Sequence, residues 1–217
     1  MGKTISEIYS EYKIMPNLQE HMLRVTAVAS MVCDNMDVSV KKEEIITACL
    51  LHDMGNIIKS KFEFMPEFFE PEGREYWEKV KKDFINKYTD DEEEANRKIA
   101  RELGMSPRVI FLISQDSFSL LCKHRDSDDI DVKIMHYADT RVAPYGIVSF
   151  DARLEEAKRR YKLATKAEEE EREKLAICGR EMEKQIFSKC KIKPEDINDQ
   201  SAAPIISKLR DFVIHSA

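Results

Sequence analysis

Two imidazoles and two carboxylates stand out in this chain because each sits on or at the end of an apolar segment. His52 and Asp53 are adjacent and close the run Ile45-Ile46-Thr47-Ala48-Cys49-Leu50-Leu51; His21 lies upstream and Asp139 downstream. Imidazole nitrogen and carboxylate oxygen together hold a divalent cation while leaving positions for water or substrate. Each residue alone has a plainer explanation. A single histidine on an amphipathic helix is more often a hydrogen-bonded structural residue. His52-Asp53 can simply end its helix, with Asp53 in solvent. Asp139 is harder to dismiss, since a carboxylate on an apolar face must be paired, hydrogen-bonded or metal-bound. Taken as a set, the four favour a shared cation, provided their segments pack together.

The segments that must bring them together read as helices. With 6 Gly, 7 Pro and 35% charged residues in 217, the composition favours an all-α protein over a turn-rich sheet. The first long helix is expected after Pro16, with Asn17 as cap and Glu20 completing a capping box. Its stripe is Met22, Val25, Ala29, Val32 and Met36, with His21 at the edge. A second helix follows Ser39 and runs into His52-Asp53, and Gly55 marks a bend. Residues 60–74 read as a loop or lid, and Phe62, Phe64, Phe68 and Phe69 offer an apolar cover or simple core packing. Trp77, Val80, Phe84 and Ile85 give a helix over about 75–88. Asp90-Asp91 opens another that Gly104 closes, Ser106-Pro107 opens a third, and Asp128 to Asp131 starts the one carrying Asp139.

The chain divides at about residue 150. From Ser149 into the segment 151–217, Phe150, Leu154, Ala157, Tyr161 and Ala164 follow a four-and-three spacing that lapses at Glu168 to Glu171 and resumes at Leu175, Cys178, Met182 and Ile186. This predicts one long C-terminal helix and a final short helix over about 204–214, packing on the core (1–150), on each other, or on a second copy to form a homodimer.

Charge and targeting narrow the partners. A net charge of -6 gives no global attraction to nucleic acid or to an anionic membrane, and no run is apolar enough to span a bilayer. The N-terminal residues lack the apolar core of a secretory signal. Five cysteines at irregular spacing, without CxxC, predict free thiols in a reducing cytoplasm, with neither disulfide nor zinc finger. No phosphate-cradling glycine motif is present.

His21, the stretch Leu50-Leu51-His52-Asp53-Met54-Gly55 and Tyr137-Ala138-Asp139 together resemble the H…HD…D pattern of the HD-domain metal-dependent phosphohydrolase superfamily, over about residues 15–150. The resemblance implies an HD-like helical bundle with His21, His52, Asp53 and Asp139 as ligands of one divalent cation (Mn, Mg, Co, Ni or Fe). It also implies hydrolysis of a small phosphate ester, foremost a nucleotide. Many members carry two further histidines between the HD pair and the last Asp. Here Glu92, Glu93 and Glu94 occupy the corresponding stretch, which argues against a second tightly held metal unless Glu93 serves as an oxygen ligand. His136 is expected to be structural. Where the family has Lys after the Gly, this chain has Asn56, so Lys59 is its substitute.

In that scheme Asp53 orients or deprotonates the attacking water, and cationic donors meet the phosphoryl oxygens. Arg24, one turn after His21, is the first choice, followed by Lys59 and Arg141. The competing expectations are a nucleotide-binding or regulatory module without turnover and, further off, a di-iron oxygenase of the same superfamily.

Overall fold

The apolar runs fold into helices stacked around the one that carries His21. The structure, a computed structural model, describes residues 2–62, 66–160 and 165–216. Eleven α-helices are present among these residues: α1 (Ile5–Glu11), α2 (Pro16–Asp34), α3 (Lys42–Leu51), α4 (Arg74–Lys87), α5 (Glu92–Glu102), α6 (Pro107–Ile113), α7 (Leu121–Asp126), α8 (Ile130–Asp139), α9 (Phe150–Arg160), α10 (Lys166–Phe187) and α11 (Asp199–Leu209). The strands are two short antiparallel pairs, β1 (Lys3–Thr4) with β4 (Val213–Ile214) and β2 (Val142–Ala143) with β3 (Gly146–Ile147). The protein is all-α, as expected.

Local chemistry explains most boundaries. Asp91, Ser106 and Asp129 each cap a helix by accepting a backbone N–H three residues on, at 2.7, 3.2 and 3.4 Å. Gly104, at φ +70°, follows α5 in the left-handed conformation that ends helices. The start of α2 differs from expectation. Pro16 is its first residue and Met15 the cap, with no side-chain cap bond, so Asn17 lies inside the helix. Proline suits that first position because its missing N–H has no intrahelical partner there anyway.

The core forms where α3, α8 and α11 pack on α2, and where α3 also meets α6 and α8. Met22, Val25, Ala29 and Val32 are fully buried on α2, as are Ile45, Ala48, Cys49 and Leu50 on α3. Burying each aliphatic side chain of this size contributes about 1.5–3 kcal/mol, so these stripes fix the rotation of both helices. At the start of α8, Arg108 binds Asp129 in fork geometry at 2.6 and 2.7 Å and reaches Asp131 at 2.8 Å. Asp131 in turn accepts the Lys41 N–H at 3.1 Å, tying α8 to α6 and to the entry of α3.

The C-terminal part departs from the expected single helix. Thr165 and Glu168 form a reciprocal capping box that starts α10 afresh, separate from α9. Tyr161 and Ala164, like Phe64 in the earlier loop, lie outside the described residues. The stripe of α10 packs on α7 and α8, and α11 packs on α2. α11 also begins earlier than expected, capped by Asn198 with Pro204 inside it, and residues 213–214 are strand. A disulfide joins Cys122 on α7 to Cys178 on α10, with Cα atoms 4.9 Å apart, correcting the expectation of free thiols throughout. Cys33, Cys49 and Cys190 are free. No helix among the described residues is long and apolar enough to cross a membrane.

Candidate metal centre

Two helix ends and one helix face converge on a single point. His21 projects from the second turn of α2, His52 and Asp53 follow the last turn of α3, and Asp139 is the last residue of α8. The His21 Nε2 lies 2.9 Å from Asp139 Oδ1 and 3.4 Å from Asp53 Oδ2. The two imidazole centroids are 5.5 Å apart. All four residues predicted as ligands are therefore brought together.

A fifth group joins them that the sequence did not suggest. Asp116, just past the end of α6, places Oδ2 3.7 Å from His52 Nε2. His52, Asp116 and Asp139 form one set of potential ligand atoms, all within 4.8 Å of one another, and His21, His52 and Asp53 form a second. Asp116 follows the apolar run Val109–Ile113 much as His52-Asp53 follows Ile45–Leu51. A polar residue closing a buried helix was thus the available signal.

His52 is the most telling member. It is 1% exposed, and its Nδ1 lies 2.8 Å from the Cys49 carbonyl oxygen, which assigns the ring proton to Nδ1. Its Nε2 is buried without a hydrogen-bond partner, 3.6–3.8 Å from carboxylate oxygens of Asp53, Asp116 and Asp139. Those separations are too long for hydrogen bonds but suit a shared cation between the groups. A lone pair aimed at three carboxylates, with a backbone carbonyl fixing the opposite nitrogen, fits a divalent metal.

The electrostatics describe the same crowding. Burial disfavours a charged His52, yet Asp53, Asp139 and Asp116 outweigh it and raise its pKa to about 10. Burial and the neighbouring Asp139 charge push the Asp116 carboxyl up to about 8. Burial also opposes ionisation of Asp139, but His21 at 2.9 Å and the nearby His52 imidazole hold its pKa well below the usual carboxylate range. Three carboxylates in one small space call for positive charge, and a cation supplies it more directly than protons do.

Supporting contacts set the backbone. The Gly55 N–H donates to Asn96 Oδ1 at 2.6 Å, pinning the turn after the HD pair to α5. A Cβ at Gly55 would stand 2.9 Å from the Ala95 Cβ and 3.0 Å from that same oxygen, so this close approach requires glycine. Asn56 is buried in the turn.

The predicted phosphate ligands fare differently. Lys59 ends the 3₁₀ turn after Gly55; burial lowers its pKa, but Asp53, Glu92, Asp116 and Asp139 outweigh it and hold the ammonium charged. Arg24 lies on α2 one turn beyond His21, its Nε 3.8 Å from Asp199. Arg141 does not reach the centre. Its guanidinium is buried and donates to the Val148, Pro194 and Ile197 carbonyls and to the Tyr137 hydroxyl, fastening the tail to α8. Its closeness to Asp139 in sequence was misleading because the chain turns sharply at the end of α8. Glu93, the proposed oxygen ligand, is mostly exposed and lies 3.9 Å from Arg97, outside the cluster.

The family model for the HD domain matches residues 18–143, a span that contains all five clustered residues. The chain belongs to the HD-domain family. HD domains bind divalent metals and belong to the metal-dependent phosphohydrolase superfamily, and the His/Asp cluster found here can hold such an ion. No curated protein and no solved structure matches the chain. The tail from α9 onward lies outside the matched HD span.

Proposed function

We propose that this HD protein is a metal-dependent phosphohydrolase that cleaves a small phosphate ester, foremost a nucleotide. The observation that carries this is the unpartnered, buried Nε2 of His52 facing the carboxylates of Asp53, Asp116 and Asp139. His21, His52, Asp53 and Asp139 would hold one divalent cation, with Asp116 as an additional oxygen donor. Such a cation, when bound, polarises a phosphoryl oxygen and eases deprotonation of water.

The chain's own groups do the rest. Asp53, which is only partly buried, orients the attacking water through its carboxylate and accepts its proton. Arg24 and Lys59 supply the positive charge that a phosphoryl group needs as negative charge spreads over its peripheral oxygens. Gly55 and Asn96 hold the turn that keeps Asp53 and Lys59 in register.

The test is metal analysis of the purified protein, then phosphate release from a nucleotide panel with Mn²⁺, Mg²⁺, Co²⁺, Ni²⁺ and Fe²⁺ in turn. Metal-dependent release, abolished in Asp53→Asn, is expected. Tight nucleotide binding with no turnover under any metal would replace the enzymatic reading with that of a binding module.

A further inference from the structure

We infer that the groove between α2 and α11 receives the organic half of the ester, and that it selects a neutral, ring-bearing, hydrogen-bonding group such as a nucleoside carrying a single phosphate. This rests on the phosphohydrolase reading above. The groove has a volume of about 420 Å³, within the ~300–1,000 Å³ range of small-molecule sites. Its walls include Glu20, Arg24, Tyr145, Asp199, Ile206 and Arg210.

Its position follows from the helices that carry the ligands. Glu20 and Arg24 bracket His21 on α2, and Tyr145 sits in the β2–β3 turn that follows Asp139. His21 and Asp139 are also the ligands most open to solvent, at 22% and 27%, whereas His52 is 1% exposed. The two more open ligands and the groove are thus built by the same stretches of chain, α2 and the segment that follows α8.

The lining specifies chemistry. Arg210 pairs with Glu20 at 2.5 Å, and Arg24 stands 3.8 Å from Asp199, so two guanidinium groups are balanced by two carboxylates across the α2–α11 boundary. With Arg24 within reach of the scissile phosphate and Arg210 paired with Glu20, no positive charge in the groove is left over for a second or third phosphate. The carboxylates can accept from amino and hydroxyl groups. Tyr145 is 68% exposed, with its hydroxyl donating to Glu67 at 2.8 Å and its ring against Phe68. That anchoring leaves a fixed aromatic ring at the rim for a base to stack on. Asp199, Ile206 and Arg210 lie beyond residue 143, so this part of the specificity comes from the tail and not from the matched HD span.

The experiment compares kcat/KM of the metal-loaded protein for nucleoside 5′-monophosphates, nucleoside triphosphates and ring-free glycerol 2-phosphate, alongside equilibrium binding of the unphosphorylated nucleoside. Monophosphates should exceed both other substrates. Ala203→Trp, which fills the groove from α11, should lower the monophosphate-to-glycerol-phosphate ratio and nucleoside binding at least tenfold. Tyr145→Ala should lower both about threefold. Unchanged ratios in folded variants, or a preference for triphosphates, would overturn the groove assignment and leave the phosphohydrolase reading standing. Absence of turnover on every ester would overturn that reading, and the nucleoside-binding measurement would still decide the groove.

Discussion

The molecule contains two close pairs of histidines whose surroundings drive them in opposite directions. His21 and His52, with centroids 5.5 Å apart, face Asp53, Asp116 and Asp139. His124 and His136, with centroids 4.8 Å apart, touch through their Nδ1 atoms at 2.6 Å on α7 and α8. His52 and His136 are equally buried, at 1% and 2% exposure. Yet carboxylates raise His52 to about 10 against its burial. Burial, aided by His124, lowers His136 to about 3, and His124 falls to about 4 for want of solvent. Burial alone thus leaves a histidine neutral and structural. Burial among several carboxylates makes a place for a cation.

The comparison breaks most visibly if the first pair is disrupted. His52→Ala removes the nitrogen that faces all three carboxylates, so metal content should fall below a tenth of the wild-type value. Hydrolysis should fall by about 10³-fold or more, equivalent to about 4 kcal/mol of transition-state stabilisation. His136→Asn should leave metal content at the wild-type level. Equal metal loss in both variants would erase the distinction.

The second pair is held by packing, and the Cys122–Cys178 disulfide fastens α7 beside it to α10. Closing a loop across 56 residues is worth about 4 kcal/mol in the chain-entropy account. Cys122→Ser should therefore lower unfolding stability by up to about that amount in denaturant titrations, with metal stoichiometry unchanged.

Acid should find the second pair next. Its folded pKa values lie below the ordinary histidine value, so the unfolded chain takes up protons first. The neutral pair's contribution is complete above about pH 6.5 and is lost as pH falls toward 4. At about 1.4 kcal/mol per unit, each histidine loses on the order of 3 kcal/mol by pH 4, or roughly 6 kcal/mol for the pair. The double variant His124→Phe, His136→Leu should flatten stability over that interval, measured by denaturant titration at each pH.

The contrast also explains which parts were legible in the sequence. Capping chemistry is local, so Asp90-Asp91, Ser106-Pro107 and the run Asp128 to Asp131 marked the starts of α5, α6 and α8, where Asp91, Ser106 and Asp129 are the caps. The clustering of His21, His52, Asp53 and Asp139 was legible because polar groups on apolar helices need a reason to be there. The Thr165-x-x-Glu168 box was equally local, but the longer apolar seam on either side hid it. Tertiary facts left no such mark. Cys122 and Cys178 meet only because α7 packs on α10, and Arg141 turns inward only because Pro194 and Ile197 offer carbonyls there. Nothing in the spacing could announce either.

Asp116 tests how far the first pair depends on the number of carboxylates around it. Its carboxyl is pushed up to about 8, first by burial and then by the charge of Asp139, and it reaches only His52 among the two clustered imidazoles. Asp116→Asn keeps the shape and removes a carboxyl that carries negative charge only above about pH 8 or once a cation displaces its proton. If Asp116 contributes an oxygen to the cation, affinity should fall about tenfold, or roughly 1.4 kcal/mol, in titrations with Mn²⁺ followed by calorimetry. If it serves only to add charge around His52, the metal-free protein should become more stable above about pH 8, where repulsion with Asp139 is relieved, while affinity changes by less than about twofold, or roughly 0.4 kcal/mol. The first outcome makes the centre a five-residue one; the second returns it to the four ligands visible in the sequence.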